Sequence, residues 1–238
     1  LERTINQLRN SNIELEKDIE EKSKIDEMRK SFISDVSHEL KTPIALIQGY
    51  SEGLLENVNT DEESRKFYAE VILDETNKMD KLVKQLLELM KLEYGKRQFN
   101  DKKFNIVEVE KEVVRKSKVM LEEKKVKIEF NLSEEINVFA DDFYIEQVIS
   151  NYITNAIKHV KEIDGKKVIS IVNEVNIEKN KVRVKIFNTG ENIAEEHINR
   201  IWNRFYKVDE SRNRTDGGTG IGLSFVKAIM NNYGNRYG

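Results

Sequence analysis

Three stretches of this sequence carry side chains that could do chemistry, and the spacing within each says which chemistry. The first is Ser37-His38-Glu39-Leu40-Lys41-Thr42-Pro43. On a helix His38 and Thr42, four residues apart, share one face. A neutral imidazole nitrogen is a competent nucleophile near neutral pH, because its ordinary pKa is about 6.5. Glu39 beside it can orient the ring and accept the proton released when a ring nitrogen is substituted. Pro43 is the one proline of the chain. It lacks the N–H that would bond the Glu39 carbonyl, so the helix is expected to bend there.

The second stretch runs Asn151-Tyr152-Ile153-Thr154-Asn155-Ala156-Ile157-Lys158-His159. Asn151 and Asn155 lie one helical turn apart, with Lys158 three further on. Two amide oxygens suit a hard cation such as Mg²⁺, and a lysine suits the phosphates that such a cation accompanies. The third stretch is in two pieces. Asn188-Thr189-Gly190 ends a strand, and Gly217-Gly218-Thr219-Gly220-Ile221-Gly222-Leu223 opens a helix. Glycines let a backbone approach phosphate, and a helix start offers free amides and a favourable dipole. No Gly-Lys-Ser/Thr follows, which excludes a P-loop, and no strand leads directly in, which excludes a Rossmann turn. Arg212 and Arg214 just upstream could meet phosphate charge or simply keep a loop soluble. Taken singly, each stretch also has a plain reading: a solvent-facing histidine, a solvated helix face, a flexible loop.

Composition narrows the choice. The chain has 238 residues, enough for one or two domains, with 40 basic and 43 acidic side chains and a net charge of −3. No strong field would steer nucleic acid toward it, so nucleic acid is not an expected partner. There are no cysteines, which excludes disulfides, thiolate metal sites and cysteine nucleophiles. His38, His159 and His197 are the only histidines, too few for a histidine-based metal site. One proline, where usual composition gives about a dozen, permits long helices. Seven of the eleven glycines lie between Gly190 and Gly238, so a helical rod should precede a compact domain with glycine-rich loops. No apolar run reaches the ~20 residues of a membrane span. The sequence opens on Leu1 rather than Met and reads as a fragment whose upstream part is not seen.

The elements that must position these residues follow from periodicity. Leu1, Ile5, Leu8, Asn12, Leu15 and Ile19 form a coiled-coil seam, with Asn12 as a polar register-setter. The seam slips phase before Ile25, Met28 and Phe32, a discontinuity that changes coiled-coil winding. Residues 58–62 form a turn, and a second helix carries Ile72, Met79, Leu82, Leu86, Leu89 and Met90 on one stripe. Two such helices make a hairpin, and two hairpins a four-helix bundle, so a homodimer is expected. Tyr94–Lys103 reads as a linker. Asn105 and Glu108 form a capping box for a helix with Val109, Val113, Ser117 and Met120 inward. Strands are expected at Val126–Leu132, Ile136–Ala140, 167–177 and 181–188, the last two a hairpin through Glu178-Lys179-Asn180. Helices are expected at Asp141–Val160, Glu195–Trp202 and Ile221–Asn232. The fold class is α+β: a helical hairpin with an N-terminal coiled coil, then an α/β sandwich.

In order, these stretches resemble the cytoplasmic core of bacterial two-component sensor histidine kinases. Ser37–Pro43 is similar to that family's H box, Asn151–Lys158 to its N box, and Asn188–Gly190 to its first G box. Trp202–Tyr206 resembles the F box and Gly218–Gly222 the second G box. Thr42–Tyr50 and the Asn-Thr-Gly turn look most like membrane-bound sensors of the vancomycin-resistance type. The resemblance implies a coiled coil at 1–24, a dimerisation and phosphotransfer hairpin at 25–94, a linker at 95–102 and an ATP-binding domain at 103–238 that lacks its last strand. It implies that His38 takes the γ-phosphoryl group of ATP, that Glu39 is its general base, and that Thr42 places water for a reverse phosphatase activity. Asn151 and Asn155 would hold Mg²⁺, Asn155 the more directly, while Lys158 and His159 would meet phosphates. Gly218, Gly220 and Gly222 would hinge a lid starting near Lys207, with Phe205 packed beneath. Asn188, Gly190, Tyr206, Arg212, Thr219 and Leu223 would complete the nucleotide site. The phosphoryl group would pass to an aspartate on a response-regulator receiver domain, and the chain would be the cytoplasmic portion of a membrane sensor. One departure is Asn188, where the family usually has an aspartate that accepts from the adenine amino group. Two alternatives are a gyrase-like ATPase, which needs a glutamate where Asn151 stands, and a non-kinase scaffold or phosphatase-biased sensor.

Overall fold

The computed structural model describes residues 2–58, 61–93, 98–131, 135–208 and 218–238. They divide into two compact units, Leu1–Lys84 and Gln85–Gly238. Leu1, Leu132, Tyr94 and Gly95 lie outside the described residues, as do the side chains of Ile5, Leu8, Ile25 and Met28.

The first unit is a helical hairpin. α1 (Glu2–Leu55) runs unbroken through Pro43, and α2 begins at Glu62 and ends at Glu93. Asp61 starts α2 by accepting the Ser64 N–H at 2.7 Å, which also holds its carboxyl below the ordinary range. The two helices meet where Tyr50 and Tyr68 pack edge to face, ring centroids 4.8 Å apart. Gly53 permits that approach, since a Cβ there would stand 2.6 Å from the Tyr68 ring. Of the expected stripe on α2, Leu82 is buried and Ile72 and Met79 half-buried in this unit, while Leu86, Leu89 and Met90 belong to the second unit, Leu89 buried and the other two half-buried. Leu15 and Ile19 of the expected seam are exposed in the single chain.

The second unit opens with β1 (Lys102–Asn105), which takes Lys102 and Lys103 out of the stretch read as a linker. α3 (Ile106–Lys116) and α4 (Lys118–Glu123) follow, then β2 (Lys127–Asn131) and β3 (Asn137–Ala140). α5 is Asp142–His159, β4 Val168–Asn176 and β5 Lys181–Asn188. α6 (Glu195–Ile198) is one turn, shorter than the expected Glu195–Trp202, and α7 is Gly222–Asn232. β1 pairs antiparallel with β3, while β2, β4 and β5 form a mixed sheet in that order. The β4–β5 turn forms as expected, with Asn180 in the left-handed region and the Lys179 N–H bonded to Asn176 Oδ1.

Asn105 caps α3 by accepting the Val107 N–H at 3.1 Å. Glu108 does not complete the box; its carboxylate pairs with Lys111, and Asn105 instead stands opposite Asn137 in the ladder. Met120, expected inward, is 39% exposed because α3 ends at Lys116 and the short α4 starts a new phase. The core joins Ile106, Val107, Val113, Ile149, Ile153, Ile157, Ile169 and Ile171.

One titratable group lies within this core. Glu110 on α3 is 1% exposed and accepts from the Asn173 amide of β4 at 2.8 Å. Its other oxygen and the Asn173 amide oxygen are both buried without a partner. Burial pushes the Glu110 carboxyl up, against a smaller opposing effect of the Asn173 bond. The unfolded carboxyl ionises from about 4.5 while the folded one holds its proton to higher pH, so stability falls as pH rises through that window. Glu110→Gln is therefore expected to stabilise the fold by about 1 kcal/mol at neutral pH. Thermal melting should show that gain shrinking as pH falls toward 4.5.

Candidate active site

α5 carries the central residues because its two faces differ. Tyr144, Val148, Ile149, Ile153, Ala156 and Ile157 are buried, which leaves Asn151, Asn155 and Lys158 half-buried and His159 exposed along the other side. Asn151 Nδ2 donates to the Gln147 carbonyl at 2.9 Å, so its oxygen is the atom turned toward α7. That oxygen stands 2.6 Å from where a Cβ on Gly222 would be, and only glycine admits it. Lys158 Nζ stands 3.2 Å from the corresponding point on Gly218. Tyr152, from the same helix, is pushed up to about 12, chiefly by burial, and stays a neutral phenol.

The glycine loop is held from the other side by Phe205. Its N–H donates to the Gly220 carbonyl at 2.9 Å, and a Cβ on Gly220 would stand 2.6 Å from the Phe205 Cα. Both residues adopt positive φ, 68° at Gly220 and 59° at Phe205. Tyr206 next to it bonds His197 Nδ1 at 2.6 Å and lies under the Arg200 guanidinium. Thr189 fixes the end of β5. Its hydroxyl donates to the Lys161 carbonyl at 2.8 Å, and the backbones of Thr189 and Val168 pair at 2.9 Å. Gly190 then passes against the last turn of α5, 2.9 Å from the His159 carbonyl measured from an added Cβ. Asn188, half-buried, donates through Nδ2 to the Thr189 carbonyl at 3.2 Å. The structure thus sets Asn151 against Gly222, Lys158 against Gly218 and Phe205 against Gly220, and brings Gly190 beside the His159 carbonyl in the same last turn of α5 that carries Lys158. Leu223, half-buried, lies in the first turn of α7. Arg212, Arg214 and Gly217 lie outside the described residues.

Sequence reading missed the residues that join distant segments here. Thr219 donates to Gln85 at 3.0 Å, and Tyr144 donates to Glu88 at 2.5 Å. Asn232 donates to the Leu92 carbonyl at 3.1 Å, and Arg204 pairs with Glu93. Leu89 and Leu92 are fully buried beside them. The last turns of α2 are thus part of the second unit.

Among the described residues no group of three or more acidic, histidine or cysteine side chains gathers to hold a metal. The oxygens on offer are those of the Asn151 and Asn155 amides. A hard cation that brings phosphate oxygens and water with it fits such a donor set, and Mg²⁺ is the one that phosphates carry. In the first unit, His38 and Thr42 are exposed one turn apart, with Pro43 buried and Glu39 half-buried. Ser37 Oγ is spent on the Ile33 carbonyl at 2.7 Å, which leaves the imidazole as the side chain of this open face able to act as a nucleophile.

Comparison with known proteins agrees with this arrangement. Residues 28–95 match the His Kinase A (phospho-acceptor) domain, and residues 140–237 the histidine kinase-, DNA gyrase B- and HSP90-like ATPase. The chain thus resembles, in order, a phospho-acceptor domain and a histidine kinase-type ATPase domain. Sensor protein SrrB of Staphylococcus aureus (strain N315) is 32% identical over 218 residues, 92% of this chain but 36% of the relative. This chain therefore spans about a third of that protein. The histidine kinase AdeS of Acinetobacter baumannii matches at TM-score 0.63 and 26% identity, over 81% of this chain and 85% of that one. The histidine kinase ThkA, solved with the response regulator TrrA, matches at 0.59 and 28% over 74% and 50%. The matches to both domains and to a sensor protein do not favour the non-kinase scaffold. Among the described residues no helix is long and apolar enough to cross a membrane.

A methyl group at Gly220 would meet the Phe205 backbone and force left-handed strain of about 1 kcal/mol or more. Gly220→Ala should weaken binding of a fluorescent ATP analogue at least ~10-fold, while Gly49→Ala, with nothing within 4 Å, leaves it unchanged. Equal affinity in the two variants would contradict the proposed role of the clasp.

Proposed function

We propose that this chain catalyses ATP-dependent phosphorylation of its own His38 and passes the group to an aspartate on a response-regulator receiver domain. The observation that supports this reading is one face of α5, with Asn151 against Gly222 and Lys158 against Gly218 and Asn155 between them in sequence, in a chain whose other unit presents an exposed His38. A ring nitrogen of His38 attacks the γ-phosphorus, the bond to the β-bridging oxygen breaks, and ADP leaves. Glu39 takes the ring proton. Lys158 and the α7 amides hold the phosphate charge, and His159 and Thr219 add donors at its margin. The Asn151 and Asn155 oxygens would hold Mg²⁺, which would supply neutralisation of the triphosphate charge. Catalysis here is positioning and charge stabilisation rather than covalent chemistry by the domain. Thr42, one turn beyond His38, places the water that would remove the phosphoryl group from the partner.

Homodimerisation is part of this reading. Ile33, Ile44, Leu46 and Leu73 of the hairpin are 40–60% exposed in the single chain, an apolar surface that a second hairpin would cover. The solved complex of ThkA with a response regulator supports the choice of partner class. SrrB is named a sensor protein, which supports a longer protein whose cytoplasmic portion this chain would supply. A finer likeness to vancomycin-resistance sensors rests on Thr42–Tyr50 and the Asn188-Thr189-Gly190 turn alone.

Incubation with γ-labelled ATP and Mg²⁺ tests the reaction. Acid-labile, base-stable label should appear on the wild type, vanish in His38→Ala and fall ~100-fold or more in Asn155→Ala. Label that persists in His38→Ala would refute the assignment.

A further inference from the structure

α3 and β4 each place one polar side chain in a row of core residues. On α3 the row is Ile106, Glu110 and Val113, at helical spacing; on β4 it is Ile169, Ile171 and Asn173, at strand spacing. The two polar groups meet through one hydrogen bond, from Asn173 Nδ2 to Glu110 Oε2 at 2.8 Å. Glu110 Oε1 and Asn173 Oδ1 remain, both buried and both without a donor. An ionised carboxylate has no hydrogen to offer and would leave the two oxygens unsatisfied in the core. A neutral carboxyl has one. A carboxyl and a primary amide are complementary edge to edge, each donating once and accepting once. Burial acts in the same direction, pushing the Glu110 carboxyl up.

We propose that Glu110 and Asn173 form a proton-held latch between α3 and β4. Glu110 Oε1–H donates to Asn173 Oδ1 while Oε2 accepts from Nδ2, and loss of that proton to solvent frees α3 from the sheet. The charged side chains of the surrounding elements are engaged away from the latch. On the exposed side of α3 Glu108 pairs with Lys111 and Glu112 with Arg115. Glu146 of α5 pairs with Lys116, and Lys118 of α4 with Glu122. Glu174 follows Asn173 on β4 and so points to the other face of the sheet, where it pairs with Lys185 of β5. Lys127 and Glu129 of β2 pair with each other. Burial and the Asn173 amide are what act on the Glu110 carboxyl.

Carbon NMR of the full chain labelled at glutamate reads the proton directly, with the Glu110 carboxyl carbon assigned through its own backbone. At neutral pH that carbon should keep the shift of a neutral acid. Glu112, whose carboxyl the Arg115 bond holds below the ordinary range, should show the ionised one. An ionised Glu110 at neutral pH would overturn the latch, and this wild-type reading decides the matter even if a variant fails to fold. Hydrogen exchange of wild type and Glu110→Gln reads the release. The Gln amide keeps a donor for Asn173 Oδ1 at every pH, so it cannot open by ionising. Protection of the α3 amides should fall in the wild type relative to the variant as pH rises, by up to ~10-fold per pH unit for one proton released, and should drop below that of α7. An unchanging ratio in α3, or equal protection of α3 and α7 at every pH, would overturn the release.

Discussion

Much of the second unit hangs on one buried carboxylate. Asp141 accepts the N–H groups of Phe143 and Tyr144, at 3.1 and 3.4 Å, and so starts α5. Its other oxygen accepts the Asn100 N–H at 2.9 Å, which fixes the approach to β1. Its own N–H donates to the Tyr233 hydroxyl at 2.9 Å, and that hydroxyl donates to Asp101 at 2.6 Å. Burial and the bond to Asp101 push the Tyr233 phenol up, so it stays a donor. Phe99 closes the cluster by packing on Tyr144 and Tyr233, with centroids 5.0 and 4.8 Å away. The start of α5, the lead into β1 and the end of α7 are thus tied at one point.

That tie matters because α5 serves as both wall and site. Its apolar face fills the core between α3, α7 and the sheet. The register that buries Ile149, Ile153 and Ile157 turns Asn151, Asn155 and Lys158 toward the loops. Two backbone clasps bring those loops in: Thr189 to Lys161 and Val168 at one end, Phe205 to Gly220 at the other. No side chain longer than hydrogen fits at Gly222 beside the Asn151 oxygen. Packing is what shapes the proposed nucleotide site of this unit.

What the sequence made legible were the features that repeat locally. The period of α5, the alternation of β4 and β5 and the Asn180 turn are set by neighbours within a few residues, and they stand where expected. The motif residues stood out too, because their types are unusual together, and the structure sets two of them, Asn151 and Lys158, against Gly222 and Gly218. What was hidden depends on segments far apart in the chain. Arg204 pairs with Glu93 and Thr219 with Gln85, more than a hundred residues away, and each looks like an ordinary surface residue in its own window. Glu110 occupies a core position that charge patterning assigns to solvent, and only the Asn173 amide on β4 explains its place. The helix expected to reach Trp202 stops at Ile198, because the chain turns there to bring Phe205 under Gly220.

The central claim is that three separated stretches close around one nucleotide. Hydrogen exchange of the full chain with and without ATP and Mg²⁺ tests it directly. The account predicts slowed exchange at Asn188–Gly190 and Gly218–Gly222, with the buried strands β2 and β4 unchanged. Slowing at neither stretch in nucleotide-saturated protein, or slowing confined to some other surface, would contradict it.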